Sequence, residues 1–427
     1  MKIFLDIVGC RLNQSEVEGI GNAFRALGHA IVNEPALADL AIVNTCAVTV
    51  KAAADSRKKL RRAGREGAPR VVATGCWATL YPEKALDLEG VTEVFANEEK
   101  DLLVSRVTGV PQERIVSLEK VREPLPGERA RTRAFIKVQE GCDNHCTYCL
   151  TRLARGKSRS RSLEEIRRQI DAAIAGGVRE IVLTGVQLGG WGKDLDVELG
   201  LSDLLTGVLD YGGFDRLRLS SIEPWDFDSA LLKFWQDARL CRHLHIPLQS
   251  GDNRILKAMG RPITQEAYRK LIDNIHAMIP GVAITTEVIA GFPGESHEAF
   301  KVTQDFVSST GFAGGHVFTY SPRPGTAAIK MKERVPVSEA KARNASLREA
   351  FMQAGVAFRK RFLGQKMDVL WESSRKMGEG RWQLSGLTDN YLRVYTMAEE
   401  DLQNTISQVI IDHEKFGSQA LMGTILS

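Results

Sequence analysis

Apolar positions along the first 110 residues repeat with two alternating periods. Residues 2–8 alternate like a strand, and 38–43, 70–74 and 91–96 are short apolar runs of strand length. Between the first two, Ser15-x-x-Glu18 has the form of a capping box. It predicts a helix with Val17, Ile20, Phe24 and Leu27 on one face and Gly28 at its C-terminal cap. Residues 50–65 read as a second helix with a strongly basic outer face. Strand and helix in alternation imply a parallel sheet with helices on its faces. Residues 118–133 are a charged stretch containing Pro124, Pro126 and Gly127, the natural domain boundary.

The alternation resumes at residue 134. Candidate strands are 134–138, 180–183, 216–219, 244–248, 283–289 and 316–320, with helices such as 163–175 and 266–278 between them. Six such repeats are too few for a closed eightfold barrel and enough for an open one. A long helix over 338–363 leads to a tail whose runs 367–371, 392–395, 409–411 and 421–426 have strand length. The predicted fold class is α/β: a parallel-sheet domain over 1–117, a linker, a partial (βα)6 barrel within 134–363, and a small antiparallel β-barrel over 364–427.

Composition changes this picture in three places. The chain has 427 residues, 43% of them hydrophobic, and no apolar run near the roughly 20 residues of a membrane span, so no membrane association is expected. Residues 2–8 contain Asp6 and run straight into Gly9-Cys10, unlike a secretory leader, which makes the cytoplasm the expected location. Seven cysteines, an odd number without such a leader, argue against a disulfide framework.

Six of the seven have telling positions. Cys142, Cys146 and Cys149 form CxxxCxxC in a loop just past the strand at 134–138. Thiolates at this spacing can wrap one metal–sulfur unit. Zinc, with His145 as a fourth ligand, is the competing reading, but it leaves the polar loops at the other strand ends unexplained. Three thiols on a four-iron cluster leave one iron open to a small chelating molecule, the logic of radical S-adenosylmethionine chemistry. Cys10, Cys46 and Cys76 each follow a predicted strand of the first domain. Ligands gather at the carboxyl ends of parallel strands, so these cysteines are expected to converge on one rim. Cys241, in Leu240-Cys241-Arg242, is expected to serve packing alone.

Two basic runs stand out. Arg57-Lys58-Lys59-Leu60-Arg61-Arg62 with Arg65 reads equally as a solvated helix face. Arg152, Arg155, Lys157, Arg159 and Arg161 follow the cysteine loop directly and are read as contacts to RNA phosphates. The tail holds six Lys and Arg against nine Asp and Glu, an unusual balance for a phosphate binder.

These residues resemble one family. Gly9-Cys10, Asn44-Thr45-Cys46 and Gly75-Cys76 are similar to the N-terminal domain of the methylthiotransferases, and 141–149 with Ala154-Arg155-Gly156 is similar to their radical signature. The tail, with Gly386-Leu387-Thr388 and Asn390-Tyr391-Leu392, resembles the TRAM domain that ends these enzymes. Arg152 departs from the pattern, where the family usually has Pro. Gly185-Val186-Gln187, Ser220-Ser221-Ile222-Glu223-Pro224, Gln249-Ser250-Gly251 and Val317-Phe318-Thr319-Tyr320 look most like the branch acting on N6-threonylcarbamoyladenosine in tRNA. Isopentenyladenosine in tRNA and an aspartate of a ribosomal protein are the alternative substrates.

The resemblance implies two 4Fe-4S clusters. One, on Cys142, Cys146 and Cys149, would cleave S-adenosyl-L-methionine to a radical that abstracts hydrogen from C2 of the modified adenosine. The other, on Cys10, Cys46 and Cys76, would carry the sulfur. It also implies a tRNA anticodon stem-loop, a reducing electron donor and a sulfur donor as partners. Strand-end position and resemblance together make Gly185, Gln187, Glu223, Gln249, Gly291 and Glu295 candidate cofactor contacts. A cobalamin-binding radical enzyme and a non-catalytic RNA-binding protein are competing classes. The first lacks its Asp-x-His-x-x-Gly pattern here.

Overall fold

The computed structural model describes residues 1–118, 120–123, 132–197, 199–378 and 380–426. Most of the expected linker, residues 119 and 124–131, lies outside them. The chain forms two compact units, Met1–Asn144 with Cys149–Gly213, and His145–Tyr148 with Phe214–Ser427.

The first unit is built on a five-stranded sheet. Its strands are β1 (Lys2–Ile7), β2 (Ala30–Val32), β3 (Leu40–Thr45), β4 (Val71–Gly75) and β5 (Val91–Phe95), in the order β2-β1-β3-β4-β5. Every pairing is parallel. The period of two along each strand divides the core. Ile3, Leu40, Ile42 and Val72 face Ile20 and Phe24 of helix α1 (Arg11–Ala26). Phe4, Ala41, Val43, Val71 and Ala73 face Leu60 and Ala63 of helix α2 (Val50–Arg65). The central β3 is buried along its whole length, as a strand covered on both faces should be.

Helix α1 does not begin where the sequence suggested. Cys10 is its N-cap and Arg11 its first residue. Ser15 lies inside the helix and donates to the Phe135 carbonyl at 2.7 Å, while Glu18 pairs with Arg122. Tertiary partners, not capping, account for both side chains. The same unit carries a second sheet of β6 (Arg133–Glu140), β7 (Arg159–Ser160) and β8 (Glu180–Gly185), with β6 in the middle. Strand β6 pairs parallel with β8 and antiparallel with β7, and runs two residues past its expected end.

In the second unit, β9 (Arg216–Leu219) precedes a parallel trio, β10 (His243–His245), β11 (Ala283–Ala290) and β12 (Gly314–Thr319). Isolated parallel bridges join Leu217 to Leu240 and Ser221 to His245. The helix Val337–Lys360 sets Phe351 against Gly315, where a Cβ would come within 2.4 Å of the ring.

The tail is a closed barrel of β13 (Lys366–Lys376), β14 (Trp382–Thr388), β15 (Arg393–Ala398), β16 (Ile406–Glu414) and β17 (Leu421–Ile425), ordered β13-β14-β15-β17-β16. Four pairings are antiparallel, and the parallel pair β15–β17 closes the ring. Its interior is Val369, Trp371, Leu384, Val394, Val409, Ile411 and Leu421, sealed by Phe358 and Phe362. Arg216 donates to the carbonyls of Leu387 and Asp368 at 2.8 Å, and Arg242 pairs with Asp389 at 2.6 Å.

Trp371 is fully buried and its indole N–H donates to Ser407 Oγ at 3.0 Å. Trp371→Ala is expected to cost about 3–5 kcal/mol locally. Hydrogen exchange should then accelerate across the five barrel strands and stay unchanged in β1–β5.

Candidate active site

Three adjacent strands of the first unit end on cysteines. Register sets Thr45 of β3 beside Gly75 of β4, so Cys46 and Cys76, the next residues, leave the sheet side by side. Ile7 of β1 stands beside Asn44, and the chain then turns through Gly9 to Cys10. Gly75 has φ +91°, and a Cβ there would lie 2.3 Å from Asn44 Oδ1 and 2.4 Å from the Thr45 carbonyl. Only glycine permits that approach. At Gly9 a Cβ would meet Cys46 Sγ at 3.0 Å. All three thiols are free of disulfides; Cys46 is buried and Cys10 exposed. Burial pushes the Cys46 thiol up to about 11, and the neighbouring Cys76 and Cys10 add to that rise.

Beneath the rim lies a buried ionic cluster. Glu16 of α1 accepts from Arg155 at 2.8 Å and from Lys100 at 2.6 Å, and Lys137 of β6 stands 3.6 Å away. Arg155 also donates to Glu140 at 2.9 Å and to Asn13 Oδ1 at 2.6 Å. Lys100 donates to Asn97 Oδ1 at 2.7 Å. Burial would raise Glu16, but Arg155, Lys100 and Lys137 outweigh it and hold the carboxyl well below the usual range. Burial pulls Lys100 down in spite of Glu16.

The 141–149 loop begins from β6 in the same unit. Gly141 has φ +72°, and a Cβ there would fall 1.8 Å from the Lys157 carbonyl. The Cys142 N–H donates to the Gly156 carbonyl at 3.2 Å. Buried Gln139 donates to the Gly141 carbonyl and to Ser158 Oγ, and accepts the Gln187 N–H at 2.8 Å. Gln187 Oε1 in turn lies 3.4 Å from Cys142 Sγ and 3.3 Å from the Asp143 N–H. Gly185 has no room to spare, since a Cβ would touch Gln139 at 3.1 Å. The Thr151 N–H donates to Cys149 Sγ at 3.3 Å.

Residues 145–148 belong to the second unit. There the Thr147 N–H donates to the Met259 carbonyl at 2.9 Å, and the Tyr148 ring meets Phe292 edge-on at 6.4 Å. Arg261, fully buried, donates to Glu223 at 2.8 Å, to the Pro247 carbonyl at 2.7 Å and to Tyr148 OH at 3.4 Å. Gln249 adopts φ +70°, rare for a non-glycine. Its Nε2 donates to Glu287, while its Oε1 is buried with no partner among the described residues, as is Ser220 Oγ. Glu295 accepts from the Gly291 N–H of its own loop at 2.8 Å and from Arg343 of the helix Val337–Lys360 at 2.6 Å. Both contacts fall on Oε2, and they shape that loop.

Comparison with known proteins decides the family. Residues 136–307 match the Radical SAM superfamily and residues 2–96 match Uncharacterized protein family UPF0004. Threonylcarbamoyladenosine tRNA methylthiotransferase MtaB of Bacillus subtilis is 34% identical over 95% of this chain and 92% of its own. The MtaB of Thermotoga maritima is 36% identical over 91% and 90%. The chain belongs to the radical SAM methylthiotransferases. A tRNA-2-methylthio-N(6)-dimethylallyladenosine synthase of Staphylococcus aureus is 31% identical over 95% of this methylthiotransferase and 82% of its own chain. Among solved structures, the radical S-adenosylmethionine methyltransferase TsrM of Kitasatospora setae shares the fold, with a TM-score of 0.58 over 77% of this chain and 75% of its own at 16% identity.

The donor chemistry suits iron and sulfur. Cys10, Cys46 and Cys76 on the rim and Cys142, Cys146 and Cys149 on the loop are all free thiols, the ligands that iron–sulfur clusters take. In the second unit, the partnerless Gln249 acceptor and Ser220 hydroxyl are the kind of groups a polar small molecule satisfies.

One expected RNA contact is corrected. Arg155, at 2% side-chain exposure, is enclosed by Glu16, Glu140 and Asn13 and cannot reach a phosphate. Arg161 pairs with Asp101 and Glu165. Lys157 and Arg159 remain on the surface. In the other basic run, Lys59 pairs with Asp6, Arg62 with Glu66 and Arg65 with Glu89. No sequence signal pointed to Asn13, Glu16, Asn97, Lys100 or Arg261. Cys241 is buried, and its carbonyl accepts the Trp235 indole N–H at 3.0 Å.

Glu16→Gln leaves buried cations under-paired and is expected to cost about 3–5 kcal/mol at neutral pH. Because its folded pKa is depressed, the Glu16 contribution is complete above its unfolded value of about 4.3 and lost as pH falls through the lower folded value. Urea denaturation of wild type and variant should therefore converge in acid; a gap independent of pH would contradict this account.

Proposed function

We propose that this methylthiotransferase adds a methylthio group to C2 of N6-threonylcarbamoyladenosine beside the tRNA anticodon, using two 4Fe-4S clusters and S-adenosyl-L-methionine. The observation that carries the reading is 34–36% identity over nine-tenths of both chains to enzymes named for that nucleoside. Dimethylallyladenosine is the second reading, favoured by the 31% identical relative. The working domains are 1–117 for the auxiliary cluster, 134–363 for radical chemistry and 364–427 as a TRAM-like barrel, joined by 118–133.

Cys142, Cys146 and Cys149 would hold the cluster that works with S-adenosyl-L-methionine, and Cys10, Cys46 and Cys76 the auxiliary one. Bound there, these groups supply reductive sulfonium cleavage, sulfur and a methyl group. The C2–H of adenine is unactivated, so acid–base groups alone would not suffice. The chain's own residues prepare the setting. Gln139 and Gln187 fix the backbone on either side of Cys142. Gln249 offers a buried acceptor to a donor group of the small molecule. Glu223 is oriented by Arg261, and Glu295 braces Gly291 so that its loop keeps its shape. Lys157 and Arg159, exposed after the cysteine loop, suit the phosphates of an anticodon stem-loop. A reducing electron donor and a sulfur donor are required besides.

Nucleoside mass spectrometry of tRNA from cells with and without the gene tests the substrate. The methylthio-threonylcarbamoyladenosine signal should vanish on deletion; loss of the methylthio-isopentenyladenosine signal instead would install the second reading. Anaerobic reconstitution should give about eight irons per chain, and about four after Cys10, Cys46 and Cys76 are all changed to Ala. Lys157→Glu or Arg159→Glu should weaken tRNA binding and lower the slope of log affinity against log salt by about one.

A further inference from the structure

The ionic cluster reaches the cysteine rim through two asparagines, and the two present opposite ends. Asn97 is buried in the turn that follows β5. Its Oδ1 accepts from Lys100 Nζ at 2.7 Å. An ammonium group has donors only, so this contact settles which end of the amide is which. Nδ2 must point the other way. There it donates to the Ala154 carbonyl at 2.6 Å and towards Cys76 Sγ at 3.7 Å. The Asn97 backbone N–H donates to Thr79 Oγ1 at 2.9 Å, and Thr79 is tied to the Gly75 carbonyl, the residue before Cys76. Lys100 is held in turn by Glu16 at 2.6 Å. Asn97 is thus pinned at main chain and side chain, with one N–H left for the sulfur.

Asn13 does the reverse. Its Nδ2 is taken by the carbonyls of Val8 at 2.8 Å and Thr45 at 3.2 Å, and its Oδ1 accepts from Arg155 at 2.6 Å. That acceptor, not a donor, lies 3.8 Å from Cys10 Sγ. The rim is therefore unequal: one sulfur faces a fixed donor and another faces an acceptor.

We propose that Asn97 is a positioning residue whose N–H···S hydrogen bond to Cys76 raises the reduction potential of the auxiliary cluster. This rests on the two-cluster reading above. Hydrogen bonds to ligand sulfurs withdraw negative charge and favour the reduced cluster, and they act strongly where water is excluded. Lys100 gives the amide its direction, and Glu16 holds Lys100 in place.

The test uses the full-length chain with Cys142, Cys146 and Cys149 changed to Ala, reconstituted so that only the auxiliary cluster can form. Asn97→Asp keeps the shape and the Lys100 contact but loses the donor; Asn97→Ala loses the donor without adding charge. Both should retain about four irons, show a lower midpoint potential in a redox titration, and lose an exchangeable-proton coupling in pulsed ENDOR of the reduced cluster. Iron retained with potential and proton coupling unchanged overturns the inference and leaves the two-cluster reading intact. Iron lost from both variants assigns Asn97 to structure and also overturns it. A parent chain that binds no iron overturns the two-cluster reading, and this inference with it.

Discussion

The pairing of Glu16 with Arg155 and Lys100 is the interaction on which the cysteine rim depends. Charges removed from water are tolerated only when every one is matched. Here Glu16 from a helix, Lys100 from a turn, Lys137 and Glu140 from a strand, and Arg155 from the segment after the cysteine loop must arrive together. A chain with any of these displaced would strand an ion in a dry interior. The cluster therefore acts as a register check between segments about 140 residues apart, while its asparagines carry the same order outward to the sulfurs.

What could be read in advance followed from periodicity. Strands β1, β3 and β4 announce themselves by alternation, and the rule that function gathers at parallel strand ends brings Cys10, Cys46 and Cys76 to one edge. What could not be read was partnership. Ser15 and Glu18 have the spacing of a cap, yet their groups are claimed by Phe135 and Arg122, which are remote in sequence. Arg155 stands in a basic run that looks like any exposed surface, and its burial follows from acids 139 residues before it and 15 before it. Asn97 and Lys100 lie in Asn97-Glu98-Glu99-Lys100-Asp101, which in isolation reads as a solvated turn. Strand β2 was missed because three residues are too short for a period, and β14 because Ser385 and Gly386 interrupt its apolar pattern.

The acidic balance of the tail also changes meaning once partners are known. Asp389 binds Arg242, Glu414 binds Arg359 and Glu372 binds Arg393. These carboxylates are locally neutralised, so the formal charge overstates the field the barrel presents. Two arginines of β9 are internal as well. Arg216 and Arg218 donate to main-chain carbonyls of the barrel and hold it to the strands that precede it.

The parallel pair Val394↔Leu421 and Tyr395↔Met422 turns five staves into a ring with no free edge. Its last stave, β17, is the keystone: it bonds β16 on one side and β15 on the other. A chain cut before Leu421 would bare both neighbours at once, each a row of unsatisfied peptide groups ready to template another molecule. Integrity of Leu421–Ile425 is thus a matter of solubility as much as of fold.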